Sequence, residues 1–355
     1  EKISKAISCL DNRVNNTAIS QLSLEEAIFS SLARFPGNKS MDKINSEKSP
    51  STYCWPSSGC KVKETSQVAI AKYMAGQNVT NITNWLREQV GFSEDLTWYL
   101  QITIADNKNA TCFINYEGNT DYQININEKT QISGSPGSCL EIHNSKYRLL
   151  VHNNCINKQF NVKCAGEFTD FKTNLLYEES AGGTLFVSST THSGSPDSWT
   201  KENITAKCFK QNGKCDYEGT LWGAAAFYTV LGTTEEFAPY LKALATSNEK
   251  YFPDSFLYYV LQSTSKGSDV LLRISESLET RPNGGYWQSP NTPYGVYYDT
   301  SLGILALGTT HSIVDGSVKP YLLEVQGENG CWNNDNIRDT AFILYSTEWW
   351  QQRTV

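Results

Sequence analysis

The sequence predicts a mainly α protein: about six inner–outer helical hairpins closing into a ring, with an antiparallel β domain inserted between two helical parts. Three observations predict it. A helix-start phrase recurs, its copies stand about 40 residues apart, and from Trp98 the pattern changes to period-two alternation.

The start phrase appears as "VKETSQVAIAKYM" (62–74), "DYEGTLWGAAAFYTVLG" (216–232), "VYYDTSLGILALG" (296–308) and "RDTAFILY" (338–345). Asp or Thr at a helix beginning caps free backbone N–H groups, and the residues that follow are apolar on most faces, as a buried helix requires. Thr220 to Thr300 is 80 residues and Thr300 to Thr340 is 40, which places another inner helix at "DSFLYYVLQST" (254–264). "LEEAIFSSLA" (24–33) supplies the earliest copy. Amphipathic stretches at 81–89, 235–247, 270–279 and 318–326 read as outer helices with one wet face. The N-terminal "EKISKAISCL" has no inner partner before it, and the last inner helix has no outer partner after it, so pairing them closes the ring.

Thr65 to Thr220 spans 155 residues, about 115 more than one period. The excess holds "TWYLQITI", "TCFINYEG", "DYQININE", "YRLLVHNN", "QFNVKCAG" and "GTLFVSS", separated by Asn, Gly, Ser and Pro clusters. The expected domains are therefore 1–97, the first helical part; 98–205, an inserted β-sandwich-like domain; and 206–355, the second helical part.

With 355 residues and 39% apolar content the chain can bury a substantial core. Its net charge of −7, without long charge runs, gives no basis for a nucleic-acid partner. Ten cysteines without a C-x-x-C pair point to disulfides rather than zinc. Cys54 with Cys60 and Cys208 with Cys215 are close in sequence, while Cys112, Cys139, Cys155 and Cys164 share one region. Cys9 and Cys331 lack local mates and are expected to form a closing disulfide. Six N-x-[ST] sequons, at Asn15, Asn38, Asn78, Asn81, Asn109 and Asn203, suit glycosylation. Together these features predict an extracellular or cell-surface chain, processed from a signal peptide, with no membrane span.

The "DT[AS]" helices and the loops "GGYW" (284–287) and "GCW" (330–332) resemble the α/α toroids of terpenoid cyclases, prenyltransferase β-subunits and the thioester domains of macroglobulins and complement; cobalamin carriers are similar. The resemblance covers residues 1–97 and about 205–355 and implies an α/α toroid, not a reaction. The families' chemistry is missing from the residues. No D-x-D-D exists for cyclase-like protonation, and Asp339 of "NNDNIRD" reads as a helix cap. His143, His152, His192 and His311 include none inside a late repeat helix, so no prenyltransferase-like zinc site forms. The string Cys208-Phe209-Lys210-Gln211 lacks the Gly-Glu pair of a thioester motif. "SAGG" (180–183) and "PNGG" (282–285) lack a phosphate-loop frame, and no G-x-S-x-G elbow is present.

Aromatic residues cluster near the helix beginnings: Trp55, Trp222, Tyr228, Trp287, Tyr294, Tyr297, Tyr298, Trp332, Trp349 and Trp350. Packing of the loop layer accounts for them. The alternative is a rim on which Trp287, Tyr294, Tyr298, Asp299, Trp332 and Asp335 hold a sugar or flat ligand. The expectation is a non-catalytic, structural, adhesive or self-assembling protein without cofactor or metal, its partners being copies of itself, other surface proteins or glycans. The alternative is a glycan- or small-ligand-binding chain with carbohydrate-directed activity on that rim.

Overall fold

The computed structural model describes residues 1–118, 120–180, 183–262, 269–280, 282 and 284–353. The end of the 254–264 stretch, two residues of "SAGG" and one of "PNGG" lie outside them. The chain divides into two compact units, one of Glu1–Gly91, Cys208–Leu241 and Ala245–Val355, the other of Phe92–Lys207 and Lys242–Leu244.

The first unit is helical. Its N-terminal stretch holds α1 (Lys2–Asn16), α2 (Leu24–Leu32), α3 (Lys39–Ser46), α4 (Val62–Met74) and α5 (Thr80–Glu88). Its two later stretches hold α6 (Tyr217–Leu231), the first four residues of α7 (Ala238–Ala243), α8 (Pro253–Leu261), α9 (Asp269–Thr280), α10 (Val296–Leu307), α11 (Lys319–Glu324) and α12 (Ile337–Ser346). A capping box starts α2: Ser23 accepts from the Glu26 N–H, and the Glu26 carboxylate accepts from the Ser23 N–H. The buried helices pack in succession, α2 on α4, α4 on α6, α6 on α8, α8 on α10 and α10 on α12, and α12 also lies against α2. α1 packs on α12, and Cys9 of α1 is bonded to Cys331 in the loop before α12. Gly330, at φ 96°, lets that loop reach α1, since a Cβ there would stand 2.5 Å from the Lys5 backbone.

The second unit is built of strands. One five-stranded sheet has the order β10–β9–β2–β7–β6, from Phe186–Gly194, Phe171–Glu179, Leu96–Ile104, Leu149–Val151 and Leu140–Ile142. The other has the order β11–β8–β3–β4–β5, from Trp199–Asn203, Gln159–Ala165, Ala110–Glu117, Thr120–Ile126 and Ile132–Gly134. Every pairing within these two sheets that involves β2, β3, β4, β8 or β9 is antiparallel. Alternate residues of β3 are buried, among them Cys112, which is bonded to Cys164 of its neighbour β8. Trp98, Leu100, Ile114, Phe160, Val162 and Phe171 fill the core. A third, small sheet, whose residues other than Phe92 and Lys207 belong to the first unit, joins β1 (Val90–Phe92), β12 (Lys207–Gln211) and β13 (Lys214–Cys215).

These sheets overturn the expected class. About 44% of the chain is helix and 21% is strand, so the protein is mixed α/β and not a mainly α toroid. Two physical causes separate expectation from structure. The alternating segments, expected as a small inserted domain, build two five-stranded sheets with their own disulfide-linked core. The expected outer helices are also irregular: 235–247 yields only the six-residue α7 between two 3-10 turns, and 318–326 yields the six-residue α11 after a π turn.

Candidate functional site

Four helix entries of the helical unit share one hydrogen-bonding device. The backbone N–H groups of Trp55, Phe209, Trp287 and Trp332 donate to the hydroxyls of Thr65, Thr220, Thr300 and Thr340 at 2.9, 3.0, 3.1 and 3.0 Å. In the three tryptophan copies the indole Nε1 donates to a carbonyl of the preceding helical segment: Ile44 at 2.6 Å, Leu278 at 2.9 Å and Leu322 at 2.8 Å. Gly223 and Gly303 make room for the ring, since a Cβ would stand 2.4 Å from Phe209 and 2.6 Å from Trp287. The recurring Thr is thus a clip within the first turns, not the N-cap. For α12 the N-cap is Asn336, whose Oδ1 accepts from the Asp339 N–H at 2.9 Å. Asp339, read from sequence as the cap, instead pairs with its neighbour Arg338 and accepts from Asn333 Nδ2 at 2.6 Å.

The clips bring charged first-turn residues together. Lys63 Nζ lies 3.5 Å from Glu25, 3.2 Å from Glu218 and 2.6 Å from the Tyr294 hydroxyl, which donates to Glu218. Arg338 joins Asp339 at 2.7 Å, Glu25 at 3.5 Å and the Tyr294 carbonyl at 2.7 Å. Burial opposes the Arg338 charge, but Asp339 and Glu25 outweigh it and hold its pKa above the usual arginine value. Burial first, then Glu218, raises Tyr294; burial first, then Glu25, raises Tyr298. Asp299 is pushed up to about 6 by burial, against the opposing pull of the Ser289 N–H and the Thr292 hydroxyl. Two cations and three carboxylates in mutual contact act as an electrostatic lock on the helix ends, and removing one member strands the others in a poorly hydrated place.

Below this lock the centre is filled by rings. Tyr294 stands 4.5 Å from Tyr298, Tyr298 5.1 Å from Phe342, Phe342 4.2 Å from Phe29, and Phe29 6.3 Å from Trp222. Beyond Phe29, Trp222 and Phe342 lies a cavity of about 50 Å³, walled chiefly by apolar side chains.

The six rim residues read from sequence therefore separate. Tyr294, Tyr298 and Asp299 gather at the lock, whereas Trp287 and Trp332 are 1% and 0% exposed anchors of the clips. Asp335 sits apart, accepting from Asn329 Nδ2 at 3.2 Å beside a polar basin of about 560 Å³. Sequence reasoning missed Glu25, Lys63, Glu218 and Arg338. Their common place in the first turn of a buried helix was the available signal.

The ten cysteines form five disulfides: Cys9–Cys331, Cys54–Cys60, Cys112–Cys164, Cys139–Cys155 and Cys208–Cys215. Such a set fits an extracytoplasmic protein. Cys208 accordingly has no thiol with which to form a thioester. Among the described residues the one group with metal-ligand geometry is Cys9, Cys331 and Asp335, and both of its sulfurs are tied up in a disulfide. The asparagines of all six sequons are exposed. No helix of the described residues is long and apolar enough to cross a membrane.

No protein-family model, curated protein or solved structure matches the chain. The resemblance to cyclases, prenyltransferases and macroglobulins is therefore withdrawn: a mixed α/β structure does not support it, and the DT and G-x-W motifs that suggested it are accounted for by the local Thr–aromatic clip.

Proposed function

We propose that this chain is an extracellular, non-catalytic surface protein that associates with a second copy of itself through the free edge of β10. The observation that carries the reading is a contrast among the four edges of the two large sheets. β5 and β6 are three residues long, and β6 contains Glu141; β11 contains Lys201 and Glu202. β10 runs nine residues, and from Thr184 to Gly194 its only titratable side chain is His192, held at 2.8 Å by Glu202.

Long edges without charge or proline are templates for pairing with another strand. A two-fold axis would set β10 against its own copy in antiparallel register, where no like charges oppose each other. Leu185 and Val187, 39% and 58% exposed, offer apolar area beside that edge. The irregularity between Val187 and Thr191 bends the strand but leaves both side chains exposed. Export from the cell and glycans on five of the exposed asparagines, Asn15, Asn38, Asn78, Asn81 and Asn203, complete the proposal.

Sedimentation velocity over a range of concentrations tests it. A reversible dimer is expected, and Val187→Lys or Leu185→Lys should return it to monomer. A wild-type monomer at every concentration, or a dimer untouched by both variants, overturns the reading.

A further inference from the structure

We infer that the outward face of the sheet β11–β8–β3–β4–β5 binds a carboxylate-bearing sugar. Inward residues of β3, β4 and β8 alternate with a solvent-facing set, and the register aligns that set in rows across the strands. One row runs Trp199, Lys163, Phe113, Gln123. The next runs Ala165, Thr111, Asn125, Ser133.

Trp199 is 44% exposed although it is the largest side chain on the face. Lys163 Nζ stands between two rings, 5.1 Å from Trp199 and 5.4 Å from Phe113. No carboxylate of the described residues is paired with it; its neighbours are aromatic. A groove of about 280 Å³ adjoins this row, lined by Asn109, Thr111, Asn125, Asn127, Ser133 and the backbone near Gly166. Its side-chain groups are amides and hydroxyls.

A sugar offers what this combination lacks. Its C–H face stacks on an indole, its hydroxyls exchange hydrogen bonds with amides and hydroxyls, and a carboxylate on the ring pairs with the ammonium group. A nucleic acid would need a broader basic surface than one lysine provides. Thr111 already donates to Asn125 and Asn109 to Glu128, and an apolar peptide would offer no hydrogen bond to the remaining solvent-facing amide and hydroxyl groups. The face belongs to the other sheet from β10, so it does not depend on self-association.

Titration calorimetry on the whole chain, using tetragalacturonate and sialyllactose beside methyl-esterified tetragalacturonate and lactose, tests the inference. At least one acidic sugar should bind, its neutral counterpart about tenfold more weakly. Trp199→Ala should weaken the acidic sugar about tenfold. Lys163→Gln should erase the preference for acid over neutral form and flatten the salt dependence. Both substitutions lie on exposed or half-exposed positions, and an unchanged thermal midpoint verifies the fold. Absence of binding by both acidic sugars, equal binding of acid and neutral forms by the wild type, or indifference to Trp199→Ala overturns it.

Discussion

The helical unit and the strand unit place their charged and aromatic groups differently. In the helical unit the loop N–H groups of four aromatics are taken by threonine hydroxyls, and Lys63 and Arg338 are surrounded by Glu25, Glu218 and Asp339. In the strand unit an uncharged edge, an exposed tryptophan and an ammonium group without a carboxylate face solvent. The clips and the lock tie helix starts to one another, whereas an exposed edge and exposed rings are where recognition is to be sought.

The largest effect should come from breaking the lock. Arg338→Ala leaves Asp339, 1% exposed, without its cation, and is expected to cost about 3–5 kcal/mol in denaturant unfolding. A loss below about 1 kcal/mol would show that the cluster is hydrated and the contrast overstated. Next, replacing Cys9 and Cys331 together by Ala removes a bond closing 322 residues of sequence, with about 2–5 kcal/mol expected. That loss should appear in the transition of the helical unit, while amide protection in β2, β3 and β9 is retained. Equal loss in both units would instead mean that they unfold together.

Thr340→Val should cost about 1–3 kcal/mol, because it strands the buried Trp332 N–H, whereas Thr340→Ser should restore most of it. Asp299 gives a pH signature. Its carboxyl protonates at about 6 in the fold against 3.8 ordinarily, so the folded state holds more protons between those values. Its contribution to stability therefore declines as pH rises from about 4 to about 6, and Asp299→Asn should remove that slope from the denaturant midpoint. A slope unchanged in the variant assigns it to another group. The smallest effect on stability belongs to Val187→Lys, within about 0.5 kcal/mol, because the side chain is exposed.

What the sequence disclosed follows the same division. Period-two alternation exposed β2, β3, β4 and β8, and the recurring Thr marked the buried helices. β9, which pairs with both β2 and β10, escaped the reading, although its buried run Leu175, Leu176 and Tyr177 matches Trp98, Tyr99 and Leu100 of β2. The lock escaped because its members come from four distant helix starts, each ordinary alone. "GTLFVSS" read correctly as a strand, but its place at an edge depends on which strands pair, a tertiary property that no local pattern carries. The rim reading of Trp287 and Trp332 counted rings near helix starts, whereas an indole N–H directed at a carbonyl draws each ring inward.

Hydrogen–deuterium exchange of the β10 amides at low and high protein concentration tests the central contrast most directly. Protection of residues 185–191 that rises with concentration, while the helical unit is unchanged, is the expected result. Exchange at β10 that stays the same at every concentration would contradict the assignment of that edge as the contact surface.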